Sequence, residues 1–459
     1  MSRPTVRETG EGISAMTTGW KSTNRLLGLC VGAALLVSVT ATVGEASETL
    51  VLTNGTVIDG TGADPIEGAT VVIEDNRITA ILGPDEPMSV TDEGIRVIDV
   101  NGGYILPGLW NNHSHLGDLL PDPKNLLEDE PLWRASARAG RNAMDALKSG
   151  FTTLRGTGDR DYLDVTWKRN FDSGVFVGPR IVPCGYPISS APDDDWLTVG
   201  PDGPEETREA VRTNIRNGAK FIKIMVTRQS PEEIEAAIDE AHKHGLRVTA
   251  HADEKMGRVA IDLGVDSIEH GNDLTDDTIR VMAEKGVFLD PTIVCNLSAD
   301  YISEREELIR EAGFDSHPDT VEGRILVSKA DERSPSDAKR ARKVLNKAYE
   351  AGIKITTGSD SNPIDELGIL EIEQLVFSGL PEMAAIMAAT SNSADAVGML
   401  DEIGTIEAGK LADLIVLEKD PLENISNLRS LAMVIKDGKP VDLTKDKGQT
   451  SFWKLYFLD

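Results

Sequence analysis

Cysteine is scarce, with three in 459 residues, and Cys30 falls inside an N-terminal apolar stretch. Cys184 and Cys295 remain for the rest of the chain. Two cysteines build no disulfide framework, and nothing spaces these as metal ligands. Both are expected to fill core space, although an oxidising compartment would permit one bond. Positive charge is short as well: 47 Lys and Arg stand against 76 Asp and Glu, a formal −29 at pH 7. Nucleic-acid surfaces need clustered cations to neutralise phosphates, so that partner class is excluded. The acidity names no substrate and serves solubility. What the chain does have is 40% apolar residues and 42 glycines, a globular α/β composition rich in turns. Its length suits one large barrel of roughly 250 residues with a smaller domain beside it.

The first 46 residues differ in kind. Lys21 and Arg25 precede the apolar run LLGLCVGAALLVSVTATV at 26–43, and small residues follow to Ala46. A basic region, an apolar region and a small-residue cleavage site make a secretory signal. Ser38, Thr40 and Thr42 keep the run weakly apolar, so cleavage is favoured over an uncleaved anchor. Cys30 precedes most of the run, which argues against a lipoprotein attachment site. The mature protein is expected to be periplasmic or secreted and off the membrane. It would be membrane-anchored only if the signal stayed uncleaved.

From residue 49 to 106 the segments LVLTNGTVID, GATVVIEDNRITAIL and IRVIDVNGGYIL alternate apolar and polar residues, with turns at Asn-Gly and Gly-Gly. That is the pattern of short half-buried strands. It returns over 402–443 in GTIEAGKLADLIVLEKDPL and LAMVIKDGKPVDL. Each end is too short to stand alone, so one β-sandwich built from both is expected, with 444–459 as a tail. Between them, over 107–401, short apolar runs alternate with amphipathic helical stretches, which implies a parallel sheet. Eight runs qualify as strands: YILPGLWNNHSH, FTTLR, RIVPC, KFIKIMV, LRVTAH, DSIEH, VFLDPTIV and IKITTGSD. Eight is the number of a TIM-like (β/α)₈ barrel. The stretch 295–352 is long for one connection and is expected to carry an inserted segment over the mouth.

Barrel sites form at the C-terminal ends of strands. His113 and His115 end the first run, Lys223 lies in the fourth, and His251, His270 and Asp360 end the fifth, sixth and eighth. These side chains should therefore converge. In a strand, residues two apart point the same way, so His113 and His115 can reach one ion. His242 and His244 share that spacing but lie on a helix, where residues two apart diverge by about 200°. They are read as surface residues, and so is His317 in the long insertion. Imidazole and carboxylate ligands suit Zn²⁺, and also Mn²⁺, Fe²⁺ or Co²⁺. Lys223, between apolar neighbours, needs a partner such as Glu254 or Asp290, or a lowered pKa. A neutral amine there could capture CO₂ as a carbamate that bridges two ions.

Taken in order, VLTNGTVIDGTG, ILPGLWNNHSHL, GFTTLRGTGD, VGPRIVPCG, KFIKIMV, VTAHAD, DSIEHG, TTGSDSNP and IGTIEAGKLADLIVL resemble the amidohydrolase superfamily. The resemblance is to its imidazolonepropionase-like and Xaa-Pro-dipeptidase-like branch and covers essentially all of the mature chain. It implies a first divalent metal on His113, His115 and Asp360, and a second on His251 and His270. It further implies a carboxylated Lys223 bridging the two, with a bridging hydroxide as nucleophile. Asp360 is implied as the proton shuttle to the leaving amine. Two features depart from the family. Arg155 is followed by Gly156 rather than Asp, and Thr227, Arg228, Gln229 and Ser230 run quickly into a helix at Pro231, with Ser230 as N-cap. Arg228 is a candidate for holding a substrate carboxylate, with an ordinary surface salt bridge as the alternative.

The leading expectation is hydrolysis of an amide-type C–N bond in a small molecule such as a dipeptide or an N-acyl amino acid. A mononuclear enzyme opening an imidazolone-like cyclic amide is the second reading. An inactive secreted binding protein is the third. Neither the substrate nor the state of assembly follows from the sequence, and a homo-oligomer stays open.

Overall fold

The structure, a computed structural model, describes residues 49–87, 94–117, 131–192, 197–298, 300–301, 333–361 and 364–444. The expected signal segment, the expected tail beyond 444, His317 and most of the expected insertion lie outside the described residues.

Five strands open the described chain: β1 (Thr49–Val57), β2 (Ile66–Glu74), β3 (Arg77–Leu82), β4 (Ile95–Asp99) and β5 (Tyr104–Pro107). Seven more belong to the middle: β6 (Leu109–Ser114), β7 (Phe151–Gly156), β8 (Arg180–Pro183), β9 (Ile222–Met225), β10 (Val248–Ala252), β11 (Ser267–His270) and β12 (Phe288–Asp290). Three close the chain: β13 (Leu414–Leu417), β14 (Leu431–Lys436) and β15 (Lys439–Pro440).

Strands from both ends share one sheet, in the order β15-β14-β13-β5-β1-β2-β3. It branches at β1, whose first five residues pair in parallel with β4 while Thr56 and Val57 pair with β5. Neither end could bury its apolar face alone. Together Leu52, Val71, Ile73, Ile105, Leu414 and Ile435 form one fully buried cluster. Each such side chain contributes about 1.5–3 kcal/mol of burial.

The expected run YILPGLWNNHSH divides in two at Gly108. β5 stays in the shared sheet, and β6 starts the parallel strands. A Cβ at Gly108 would stand 2.1 Å from the Thr152 hydroxyl, so only glycine lets the chain cross there. The middle strands alternate with helices Leu132–Lys148, Leu163–Asp172, Pro204–Asn217, Pro231–Lys243, Glu254–Leu263 and Asp276–Lys285. Helices Pro335–Glu350 and Ile364–Phe377 follow. β6 and β7 are buried at every residue, as parallel strands covered on both faces must be. Helix Pro231–Lys243 shows how a helix covers a strand. Ile234, Ala237, Ile238 and Ala241 are buried at helical spacing. Ser230 caps it as expected, in a reciprocal pair with Glu233.

Ladders run β6-β7-β8 and β9-β10-β11-β12, all parallel. Single bridges join what the ladders leave apart. Ile188 bridges to Ile224 beside β9, and Leu289 of β12 bridges to Ile355. On its other side the 353–360 run meets β6, where Asn112 N donates to Thr357 O and Asp360 N to His113 O. The fold of this part is TIM-barrel-like α/β.

Two expected strands are shorter than their apolar runs. β12 stops at Asp290 because Pro291 has no N–H to continue a ladder, and Thr292 turns left-handed into a 3₁₀ turn, Ile293–Asn296. IKITTGSD makes one bridge instead of a ladder. Gly358 brings it so close to β6 that a Cβ there would sit 2.2 Å from that of His113. Among the described residues, no helix is long and apolar enough to cross a membrane.

Candidate active site

His113 and His115 stand at the C-terminal end of β6. Their Nδ1 atoms are both engaged, His113 with Glu269 Oε2 at 2.6 Å and His115 with Gly158 O at 2.7 Å. A carbonyl can only accept, so Nδ1 of His115 carries the proton and Nε2 presents its lone pair. Both Nε2 atoms turn to one oxygen: Asp360 Oδ1 is 3.4 Å from that of His113 and 3.2 Å from that of His115. Asp360 reaches this place through a left-handed backbone, φ 46°.

His270 shows why the strand must bend. Alternation sends neighbouring side chains of β11 to opposite faces. Glu269 points inward to His113, so His270 should point away. Its φ of 69° turns the strand end instead and brings its ring back, with centroids 4.4 Å from His251 and 5.1 Å from His113. Thr292 Oγ1 then holds His270 Nδ1 at 2.6 Å. Thr292 is itself left-handed at φ 41°, an unusual conformation for a β-branched residue. Three such residues at one site mark strain that the surrounding packing sustains.

Ligand atoms of His113, His270 and Asp360 lie within 4.8 Å of one another, a group able to hold a metal ion. Burial, reinforced by the nearby Lys223 charge, pulls His113 and His251 down to about 4, and burial takes His270 well below its usual value. Neutral imidazoles are what a metal requires. Burial opposes ionisation of Asp360, but the charge that His113, His115 and His270 carry when protonated outweighs it, and the carboxyl lies well below the usual range.

Lys223 is buried in β9, and its Nζ has no hydrogen-bond partner. Of the two alternatives, the pairing with Glu254 or Asp290 is not made. Glu254 accepts from Thr275 and Thr278, and Asp290 accepts from Thr356. Burial lowers the Lys223 pKa. Arg228 is exposed on the turn Val226–Arg228 that follows β9. His242 and His244 lie on the helix surface, next to Asp266 at 2.8 Å and Glu240 at 3.4 Å. Cys184 and Cys295 are both buried and free.

Sequence reading missed the residues beneath the imidazoles. Glu269 is fully buried and binds His113, Thr249 and Arg155. Arg155, named above only as a departure from the family, reaches Glu269 at 2.5 Å, donates to Asn112 O, and lies over the Phe221 ring. Burial works against the Glu269 charge, yet Arg155 and His113 bring its pKa well below normal. Asp290, 3.8 Å from Arg155, is pushed up to about 8 by burial and by the charge of Glu269. The alternation Ser267-x-Glu269 was the available signal. It placed a carboxylate on the inner face of β11, one residue from the histidine that drew attention.

The sequence model of the amidohydrolase family matches residues 104–441. The chain belongs to the amidohydrolase family. It is similar to an ochratoxinase of Aspergillus niger, 29% identical over 454 residues that cover 87% of this chain and 88% of the relative. An imidazolonepropionase of Porphyromonas gingivalis is 24% identical over 402 residues, 77% of this chain and 84% of that one. Among solved structures, a Xaa-Pro dipeptidase with bound methionine in the active site superposes with a TM-score of 0.72 at 29% identity. That match covers 86% of this chain and 100% of the other. This amidohydrolase is therefore an enzyme, a hydrolase acting on carbon–nitrogen bonds. Divalent metals are general in its family, and the His113, His270 and Asp360 group is a possible site for one.

Proposed function

We propose that this amidohydrolase cleaves the amide-type C–N bond of a small substrate, such as a dipeptide or an N-acyl amino acid, in a metal-dependent reaction. The observation that carries the reading is Asp360 Oδ1 between two Nε2 atoms whose imidazoles are anchored through Nδ1. The donor set fits a divalent ion: neutral imidazoles, one carboxylate and a buried amine without a partner. His113, His115 and Asp360 would hold one ion, His251 and His270 a second. Lys223 would bridge them as a carbamate, formed when its neutral amine adds to CO₂ and releases one proton. Burial favours the neutral amine that this step needs.

A divalent ion bound there supplies acidified water and a polarised carbonyl. The chain supplies the rest. Asp360 accepts the proton of the attacking water and returns it to the leaving nitrogen. Glu269 keeps the His113 tautomer that leaves Nε2 unprotonated. Arg228, exposed beyond β9, would meet a substrate carboxylate. The similarity to a Xaa-Pro dipeptidase supports a dipeptide, and that to an imidazolonepropionase supports a cyclic amide. In architecture, the bridge to β12 on one side of 353–360 and the backbone hydrogen bonds to β6 on the other support a closed (β/α)₈ barrel over 107–401. The branched sheet supports a β-sandwich domain from 49–106 and 402–443.

The compact His113, His270 and Asp360 group favours a second reading, a single ion and an unmodified Lys223. Metal content per chain decides between them, measured by elemental mass spectrometry on protein expressed with Zn²⁺ and bicarbonate. Two ions, falling to one or none in Lys223→Ala, support the binuclear carbamate site. One ion, unaffected by that substitution, overturns it in favour of the mononuclear enzyme.

A further inference from the structure

Beyond the ligands themselves, one short turn touches two of them. After β12 the chain passes Pro291, turns left-handed at Thr292 (φ 41°, ψ 52°), and makes the 3₁₀ turn Ile293–Asn296. Thr292 Oγ1 lies 2.6 Å from His270 Nδ1. Three residues later Cys295 Sγ lies 3.2 Å from Asp360 Oδ2 and 3.5 Å from the carbonyl oxygens of Ser359 and Asp360. The two oxygens of Asp360 thus have separate company: Oδ1 faces His113 and His115, and Oδ2 accepts the thiol proton.

The turn is itself tied down. Glu371, fully buried on helix Ile364–Phe377, accepts the N–H of Ile293 on one oxygen and that of Val294 on the other, each at 2.8 Å. Asn296 adds a bond from its Nδ2 to Asn272 Oδ1 at 3.2 Å, just beyond His270. A left-handed threonine costs of order 1–3 kcal/mol and persists only where surrounding contacts over-determine it. Here the two bonds to Glu371 follow immediately after the strained residue.

We propose that the turn Thr292–Asn296 positions His270 and Asp360 relative to each other, with Thr292 and Cys295 as positioning residues and Glu371 as the anchor. The inference rests on the metal-site reading above, because orientation of these two side chains matters most if both serve one site. Partners of this kind typically change metal affinity by 10–100-fold when removed. The anchor makes the proposal distinctive. Glu371 touches neither His270 nor Asp360, yet its loss should be felt at both.

The test uses the whole mature protein, stripped of metal and titrated with Co²⁺, following the visible absorption of the bound ion and its affinity. Thermal melting of the metal-free form is recorded in parallel. Thr292→Val and Cys295→Ala should each weaken Co²⁺ binding about tenfold or more and shift the absorption bands. Thr292→Ser and Cys295→Ser retain a donor and should restore most of the affinity. Glu371→Gln should give a smaller change of the same kind. Unchanged affinity and spectrum in Thr292→Val and Cys295→Ala would overturn the proposal. So would losses that follow the melting temperature alone, with no rescue by the serine variants. Wild-type protein that binds no Co²⁺ would instead sink the metal-site reading, and this inference with it.

Discussion

Two regions of this amidohydrolase carry histidines two residues apart, and they have nothing else in common. His113 and His115 end a buried parallel strand, each with Nδ1 committed and Nε2 turned to Asp360. His242 and His244 lie at the end of helix Pro231–Lys243, exposed, paired with Asp266 and Glu240 at the surface. The spacing is the same, but the element is not. A strand sends both rings to one side, whereas a helix turn separates them by about 200°. Burial then completes the difference, since it makes neutral rings out of His113 and its neighbours. A motif is thus a statement about geometry only after the element that bears it is known.

Replacing His113 or His115 by Ala should break the comparison at its strongest point. Either change is expected to remove most bound metal and nearly all turnover, read by elemental analysis and by hydrolysis of a dipeptide panel. Retained metal and activity in both would transfer the site elsewhere. Asp360→Asn should keep the fold and lower kcat by about 100- to 10,000-fold, the usual worth of a general base. Full activity with an unchanged circular dichroism spectrum would remove Asp360 from the chemistry.

A smaller effect concerns acid stability. His251 is held at about 4 in the folded chain by burial and by the Lys223 charge, against 6.5 for a free imidazole. Between those values the unfolded chain binds the proton more readily. The contribution is therefore present above pH 6.5 and lost as pH falls towards 4. It amounts to on the order of 3 kcal/mol, at 1.36 kcal/mol per unit. Melting of metal-free wild type and His251→Asn from pH 7 to 4 should show a shallower decline in the variant. Parallel curves would mean that His251 is protonated as readily folded as unfolded. The smallest effect belongs to the surface pair. His242→Ala and His244→Ala should leave metal content and turnover unchanged and cost under about 1 kcal/mol, as exposed side-chain pairs do. Loss of metal in either would erase the contrast between the two regions.

How much of the site could be read in advance differed by residue. His113, His115, His251, His270 and Asp360 stood at the ends of apolar runs, so a rule about barrel mouths was enough to group them. The structure brings His113, His270 and Asp360 within reach of one ion and sets His251 beside His270. Lys223 was suspect because its neighbours are apolar, and it is buried without a partner. Glu269, Arg155, Thr292, Cys295 and Glu371 went unread as a support. Each acts across a long stretch of sequence: Glu269 lies 156 residues from His113, and Glu371 lies 78 from Ile293. No local pattern announces a bond of that kind. Strand ends were similarly hard, since VFLDPTIV and IKITTGSD read as strands but are cut short at Pro291 and at the close approach of Gly358 to β6.

From the sequence alone followed the alternation of strands and helices, the family, and the types of side chain available for chemistry. The first and the last depend on residue identity and on periodicity within one segment, and the family on the resemblance of an ordered set of motifs along the chain. Only the tertiary structure decided which rings face one another, which nitrogen of each is committed, and which carboxylates carry charge. It also bent the chain left-handed at His270, Thr292 and Asp360, where a straight strand would have turned His270 away. Those outcomes depend on desolvation and on contacts between distant segments, and both come into being only when the strands are side by side.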